Sequence, residues 1–301
     1  MEKHKVHIVR AFTVQGRGGN AAGVVLHADS LSHSQKQQIA KGVGLSETAF
    51  VSHSESADVK VEFFTPNRQI PHCGHATVAT FGFLRQKGLI SGFSATKESI
   101  EGIHDLRFED DAIFLSQKAP VFHGQDEALS FRALAALGLS KSALLPGQFT
   151  EVVNTGVNFL ILPLISEKVL KEITPRFLEI EALSEDLGLI GFYPFFVDET
   201  HGEITAFSRM FAPRFGISEE SATGMAAGPL GCFLNTRLRL AKLQFFLGQG
   251  YHMEPASPSR LNVQLIRANH QIQEVWVGGH ATWERDMWAT SHSPKKPCLS
   301  A

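Results

Sequence analysis

Cysteine is scarce. The three thiols, at positions 73, 232 and 298, form no spaced framework that disulfides could staple, and an odd number of free thiols is ordinary in a reducing compartment. Positive charge has no surplus either: 28 Lys and Arg stand against 30 Asp and Glu, a net charge of −2, and no basic stripe runs along the chain. That balance argues against a nucleic-acid partner, whose phosphates call for clustered Lys and Arg. Long apolar runs are missing too, so no segment reaches the ~18 residues that a membrane helix needs. The opening MEKHKVHIVRAF puts charges inside what would be the apolar core of a secretory signal. The expectation is a cytoplasmic protein without a membrane partner. The ending Cys298-Leu-Ser-Ala has Ser300 where a prenylation box wants an aliphatic residue, and the preceding SHSPKKP reads as a solvated tail.

What is present is core material. Hydrophobic residues make up 43% of the chain and charged residues 19%, with 23 Phe against 2 Tyr, a composition too apolar for disorder. A chain of 301 residues exceeds the usual size of one core, so two domains are expected, and with them a cleft.

VHIVRAFTV, GVVLHAD, ETAFVS and VEFFTP read as strands, with the glycine-rich turn QGRGGNAAG between the first two. Ser30 or Ser32 can cap a helix that runs through Lys41 and closes on GVGL. ATVATFGFLRQKG has helical spacing and a stop at Gly88, and residues 91 to 118 return to short strands that include LRFED and AIFLSQ. QKAPVFHGQ reads as a linker. Beyond it come a helical pattern at 126 to 137, the apolar strand FLILPLI, a helix from Ser166, and another opened by Thr174 and Pro175 at the N-cap and N1 positions. FYPFFV and ITAFSRMF follow.

The second half echoes the first. Phe64-Thr65-Pro66 and Phe211-Ala212-Pro213 lie almost half the chain apart, and each leads to a glycine-bearing turn and a helix ending in Phe-Leu. Gly19-Asn20 before GVVL is matched by Thr155-Gly156 before FLIL. Two related domains are therefore expected, 1–118 and 119–285, with 286–301 as a segment that can complete the first.

Each half carries a helix mouth suited to an anion. In Pro71-His72-Cys73-Gly74-His75-Ala76-Thr77, small residues leave backbone N–H groups at a helix end, where no intrahelical acceptor exists and the dipole favours negative charge. Glu219-Glu220-Ser221-Ala222-Thr223-Gly224-Met225 has the same makeup. Simple capping explains either one alone; a carboxylate site explains the pair. A metal clip at His72, Cys73 and His75 fails on spacing, so no metal is expected. Cys73 at a helix start is a candidate reactive thiol, but the second mouth holds Ser221 and Cys232 lies about three turns further on, which speaks against a symmetric two-thiol mechanism. The remaining proton carriers are His75, whose imidazole titrates near neutrality, Glu47 at the entrance of an apolar strand, and Glu220.

AFTVQGRGGNAAGVVL, LSETAFV, FFTPNRQIPHCGHATVATFGFL, MFAPRFGISEESATGMAAGPLGCFL and GQGYHMEPASPSRLNV resemble, in order, the signature segments of the PhzF-like phenazine biosynthesis family, over nearly the whole chain. The resemblance implies the diaminopimelate epimerase-like α/β (α+β) fold, two similar pseudo-twofold domains, each a barrel-like sheet around a central helix, with the site between them. It also implies a cofactor-free isomerase, a homodimer, acting on a small carboxylic acid. Glu47 matches the family's catalytic glutamate and His75 the histidine of its GHAT motif, with Glu220 as an assistant. Substrate contacts are assigned to Asn20, Ser46, Gly74, Thr223, Gly224 and Met225. Two departures stand out: Glu220 occupies the place of an aspartate and Met225 that of a serine. A methionine cannot donate the hydroxyl's hydrogen bond, a loss of about 1.5 to 3 kcal/mol if that bond reaches a charged group, so a different substrate is expected. Two rival readings remain: a racemase or dehydratase using the Cys73 thiol, and a non-catalytic dimeric ligand-binding protein.

Overall fold

The computed structural model describes residues 1–198, 200 and 202–292. Cys298 and most of the expected solvated tail lie outside them. The chain divides into two units, one made of Met1–Ala11, Ala21–Ile113 and the segment from Ala281 on, the other of Phe12–Asn20 and Phe114–His280.

The first unit holds β1 (Glu2–Ala11), β2 (Asn20–Val25) from Ala21 on, α1 (His33–Val43), β3 (Thr48–Ser52), β4 (Val59–Phe64), β5 (Gln69–Ile70), α2 (Gly74–Gln86), β6 (Ser94–Ser99), β7 (Gly102–Glu109) and the start of β8 (Ala112–Gln117). Ser32 is the α1 cap: its hydroxyl accepts from the Gln35 N–H while the Gln35 side chain accepts from the Ser32 N–H. Gly88, at a left-handed φ of +69°, closes α2 with Gly88 N–H to Arg85 C=O and Leu89 N–H to Leu84 C=O. The pairings run β2 parallel to β3, β3 antiparallel to β4, β4 parallel to β6, and β6 antiparallel to β7.

The second unit holds the end of β8, then β9 (Val121–Asp126), α3 (Glu127–Ala136), β10 (Thr150–Asn154), β11 (Asn158–Pro163), α4 (Glu167–Lys171), α5 (Phe177–Asp186), β12 (Leu189–Val197), β13 (Ile204–Ser208), α6 (Gly224–Thr236), β14 (Gln244–Gln249), β15 (Ser259–Ala268) and the first part of β16 (Gln271–Ser291). Its order of pairings repeats the first: β11 parallel to β12, β12 antiparallel to β13, β13 parallel to β14, β14 antiparallel to β15. The end of β16, from Ala281 to Ser291, pairs antiparallel with β1 in the first unit. Residues 12–20 belong to the second unit because their backbone bonds stay there: Thr13 N–H to His280 C=O, Gly19 N–H to Pro258 C=O, and Arg260 N–H to Phe12 C=O.

Two expectations from the sequence are corrected. QKAPVFHGQ is not a linker, since its second half is β9, which pairs antiparallel with β10, a strand that sequence pattern did not reveal. The helix expected to open at Thr174 and Pro175 begins at Phe177. The N–H groups of Thr174 and Arg176 are bonded to the carbonyls of Leu137 and Ala136, which holds those residues out of the helix.

Both central helices are enclosed around almost their whole circumference. Ala76, Val78, Ala79, Phe81, Phe83 and Leu84 of α2 are buried, as are Ala226, Ala227, Leu230, Cys232, Phe233 and Leu234 of α6. A helix apolar on every side belongs inside a wrap of strands. Close approach needs glycine: a Cβ on Gly82 would lie 2.4 Å from Ala281 Cβ, and one on Gly231 would lie 2.6 Å from Val263 Cγ1. Among the described residues no helix is long and apolar enough to cross a membrane.

Candidate active site

In the first unit, three side chains from separate positions in the sequence meet at the start of α2. Cys73 is the residue before the helix, in extended conformation, and has no oxygen with which to cap it. His75 sits on the first turn, and Glu47 immediately precedes β3. All three are buried, Glu47 at 8% exposure and Cys73 and His75 at 5% each. The imidazole lies between the other two: its Nε2 is 3.2 Å from Glu47 Oε2 and its Nδ1 is 3.6 Å from Cys73 Sγ. Glu47 is fixed by its backbone, whose carbonyl accepts from the Gly23 N–H, and the Ser46 side chain favours its carboxylate form. Apart from the imidazole, Glu47 Oε2 meets no hydrogen-bond donor among the described residues. That leaves one carboxylate oxygen enclosed and available for a proton.

The electrostatics favour charge separation within the cluster. Burial opposes ionisation of Glu47, but the imidazole beside it outweighs burial and holds the carboxyl below its ordinary value. Burial likewise opposes the imidazolium, yet the Cys73 sulfur and the Glu47 carboxylate on either side hold His75 well above the usual imidazole range. Burial, reinforced by the nearby carboxylate, pushes the Cys73 thiol up against the pull of His75. Glu47 and His75 thus favour each other's charged forms, while burial disfavours the Cys73 thiolate.

A pH dependence follows. With its folded pKa below 4.5, Glu47 contributes stability that is complete above pH 4.5 and is lost as pH falls through the folded value. With its folded pKa above 6.5, His75 contributes stability that is complete below pH 6.5 and is lost as pH rises through the folded value. The pair should stabilise most between those limits. Urea midpoints of wild type and His75→Gln across this range check it: the variant should lack the alkaline decline attributable to the pair.

The start of α6, in the second unit, carries a neutral hydrogen-bond lattice around one carboxylate. Glu220 Oε2 accepts from Thr223 Oγ1 at 2.5 Å and Oε1 accepts from Asn20 Nδ2 at 2.8 Å, while the same Asn20 amide reaches the Ala222 carbonyl at 3.1 Å. Gln249, at the end of β14, organises the rest. Its Oε1 accepts from the Thr223 N–H and the Tyr193 hydroxyl, and its Nε2 donates to the Glu220 carbonyl and to Thr223 Oγ1. Burial pushes the Tyr193 phenol up, so it stays a donor. Gly224 and half-buried Met225 are the first two residues of α6, where N–H groups lack intrahelical acceptors. Pro229 removes the N–H that would have met the Met225 carbonyl.

Of the positions chosen from sequence, the first unit thus gathers Ser46, Glu47, Cys73, Gly74 and His75, and the second gathers Asn20, Glu220, Thr223, Gly224 and Met225. Gln249 and Tyr193 were missed: Gln249 lies in the signature segment GQGYHMEPASPSRLNV but was given no role there, and Tyr193 reads as an ordinary residue of an apolar strand.

Two donor groups are compact enough to hold an ion: Glu47 with Cys73 and His75, and His72 with Glu101 and His104. In the first, the His75 ring faces the other two groups, Nε2 toward Glu47 Oε2 and Nδ1 toward Cys73 Sγ. In the second, the Lys97 ammonium donates to His72 Nδ1 at 3.3 Å, so a positive charge already occupies that lone pair.

The family model described as PhzC-PhzF, phenazine biosynthesis-like protein, matches residues 9–286. The chain belongs to this family. Relatives include the uncharacterized isomerase YddE of Escherichia coli K12, 39% identical over 238 residues that cover 77% of this chain and 79% of that protein. The trans-2,3-dihydro-3-hydroxyanthranilate isomerase of Pseudomonas aeruginosa is 27% identical over 283 residues, 92% of this chain and 96% of that one. The crystal structure of the Bacillus anthracis PhzF-family phenazine biosynthesis protein superposes with a TM-score of 0.89 at 25% identity, covering 97% of this chain and all of that one. The fold is thus the mixed α/β, epimerase-like fold of PhzF proteins.

Proposed function

We propose that this PhzF-family chain is an isomerase that moves a proton between carbon atoms of a small carboxylic acid without a cofactor, with Glu47 as the acid/base. The observation that carries the reading is the enclosed Glu47 carboxylate, held ionised by the His75 imidazole at the start of a buried helix. In this reading Glu47 takes a proton from a carbon next to the substrate's carboxylate or conjugated system and returns it to another carbon of the same molecule. The substrate's atoms are conserved and the carboxylate is regenerated. The imidazolium stabilises the carboxylate before transfer and can offer its own proton afterwards. The first-turn N–H groups of α2 suit the substrate's carboxylate. Glu220, with a donor on each oxygen, serves better by orienting Thr223 and Asn20 than by shuttling a proton.

The Pseudomonas relative is named for a dihydro-hydroxyanthranilate substrate, which makes that acid the first compound to try. Met225 and Glu220 favour a different one. The test is incubation with a panel of small carboxylic acids in heavy water, read by NMR for carbon-bound deuterium. Deuterium at a defined carbon of one acid is expected; an acid that binds yet never exchanges would instead support a binding protein. One observation favours a second reading, the 3.6 Å approach of Cys73 Sγ to His75 Nδ1, which would let the thiol act as the base. In that case alkylation of Cys73 abolishes exchange and Cys73→Ala is equally inactive.

A further inference from the structure

β6 alternates strictly: Ala95, Lys97 and Ser99 face inward, while Ser94, Thr96 and Glu98 do not. A lysine on the inner face is unexpected, and Lys97 is fully enclosed, at 0% exposure. Lysine is almost never fully buried unless it is paired, because its ammonium loses its hydration. Among the described residues no carboxylate forms an ion pair with Lys97. Its direct contacts are neutral: it donates to His72 Nδ1 at 3.3 Å and to Thr77 Oγ1 at 3.2 Å, and lies 5.1 Å from the centre of the Phe63 ring.

Those two acceptors flank the turn that begins α2. Thr77 passes the contact on, since its hydroxyl donates to the Cys73 carbonyl at 2.7 Å and its N–H bonds the same carbonyl at 3.1 Å. The groups that act on Lys97 through their fields are Cys73, Glu101, His72 and His104. Burial lowers its pKa to about 8, against the pull of Cys73 and Glu101, so it stays mostly charged at neutrality. Burial, with help from Lys97 and His104, lowers His72 to about 3 and keeps it a neutral acceptor.

We infer that Lys97 is a positioning residue of the α2 entrance: its buried ammonium ties His72 to Thr77 across the turn and, one hydroxyl away from the Cys73 carbonyl, places a positive charge beside that residue that favours its thiolate. The remaining groups that face Cys73 are His75 and Glu47, which pull in opposite directions. The inference rests on reading this cluster as proton-handling machinery, but its test reads the thiol alone and needs no substrate, so the two can fail separately.

The experiment is the pH profile of iodoacetamide alkylation of the full chain, quantified by mass spectrometry on the peptide that carries Cys73. Lys97→Met, which removes both the charge and the donors, should move the profile up by about one pH unit, a roughly tenfold slower reaction at a given pH below the midpoint. Lys97→Gln keeps donors for His72 and Thr77 but loses the charge, and should move the profile as far. Were Lys97 merely structural, glutamine would restore the wild-type profile; that result, or a methionine profile that overlays wild type, overturns the inference. Should neither variant fold by circular dichroism, Thr77→Val, which leaves the charge but cuts its link to the Cys73 carbonyl, should slow alkylation about threefold or more. An unchanged profile there is equally fatal.

Discussion

Glu47→Gln should slow proton transfer by about 100- to 10,000-fold on whichever acid the heavy-water screen identifies, while substrate affinity changes little and the fold is kept at the cost of the charged pair's contribution to stability. The amide has nearly the shape of the carboxyl and can still accept from the His75 ring, so packing is kept. What is lost is a group that can bind and release a proton. Losing the carboxylate also removes one of the two partners that raise the His75 pKa, so the imidazole of the variant should titrate closer to its ordinary range. Single-turnover deuterium incorporation gives the rate, ligand titration gives the affinity, and the urea midpoint gives the stability. A rate within about threefold of wild type would remove Glu47 from the mechanism and shift weight to Cys73, whose alanine variant should then be the inactive one.

How much of this was legible in the sequence depends on whether the cause is local. Ser32 and Ser166 announce helix starts and Gly88 a helix end, because capping depends on residues within one turn. The start of α5 was misread because the bonds that hold Thr174 and Arg176 outside the helix come from the far end of α3. The strand β9 was hidden in a stretch with a proline and a glycine, and it exists because β10 pairs with it. The site divides in the same way. Cys73 and His75 lie two residues apart in any reading, but the meeting of Glu47 with the imidazole is a product of tertiary packing. Lys97 left no trace, since SATKES is mostly polar and a lysine there reads as solvent-facing until the strand's inner face is known. The GQGY segment marks Gln249 without revealing its role, because its weight comes from four hydrogen bonds with three residues brought to it by β12 and the α6 entrance.

Gln249→Leu should be among the most destabilising single changes in the second unit, at about 3 to 5 kcal/mol, and its effect should appear in folding before catalysis. Gln249 is fully enclosed, and one amide satisfies donors and acceptors of both kinds. Leucine would strand the Tyr193 hydroxyl, the Thr223 N–H and the Glu220 carbonyl, each worth about 1 to 3 kcal/mol when left unpaired, with partial relief where neighbours can turn. The measurement is the urea midpoint, which should fall with the slope unchanged; a loss under about 1 kcal/mol would mean that water replaces the amide without cost. Gln249→Glu separates the two halves of the amide. Its carboxylate can still accept from Tyr193 and Thr223 but has nothing to donate to the Glu220 carbonyl, so the ionised form is penalised and its folded pKa should rise above the unfolded one. A group shifted in that direction destabilises above its folded pKa, and the penalty shrinks as pH falls through it, so this variant should recover toward wild-type stability in acid while the leucine variant should not. The contrast with Glu47 is physical: there the enclosed oxygen keeps capacity for a proton, whereas here every polar atom is committed to holding the α6 entrance in place.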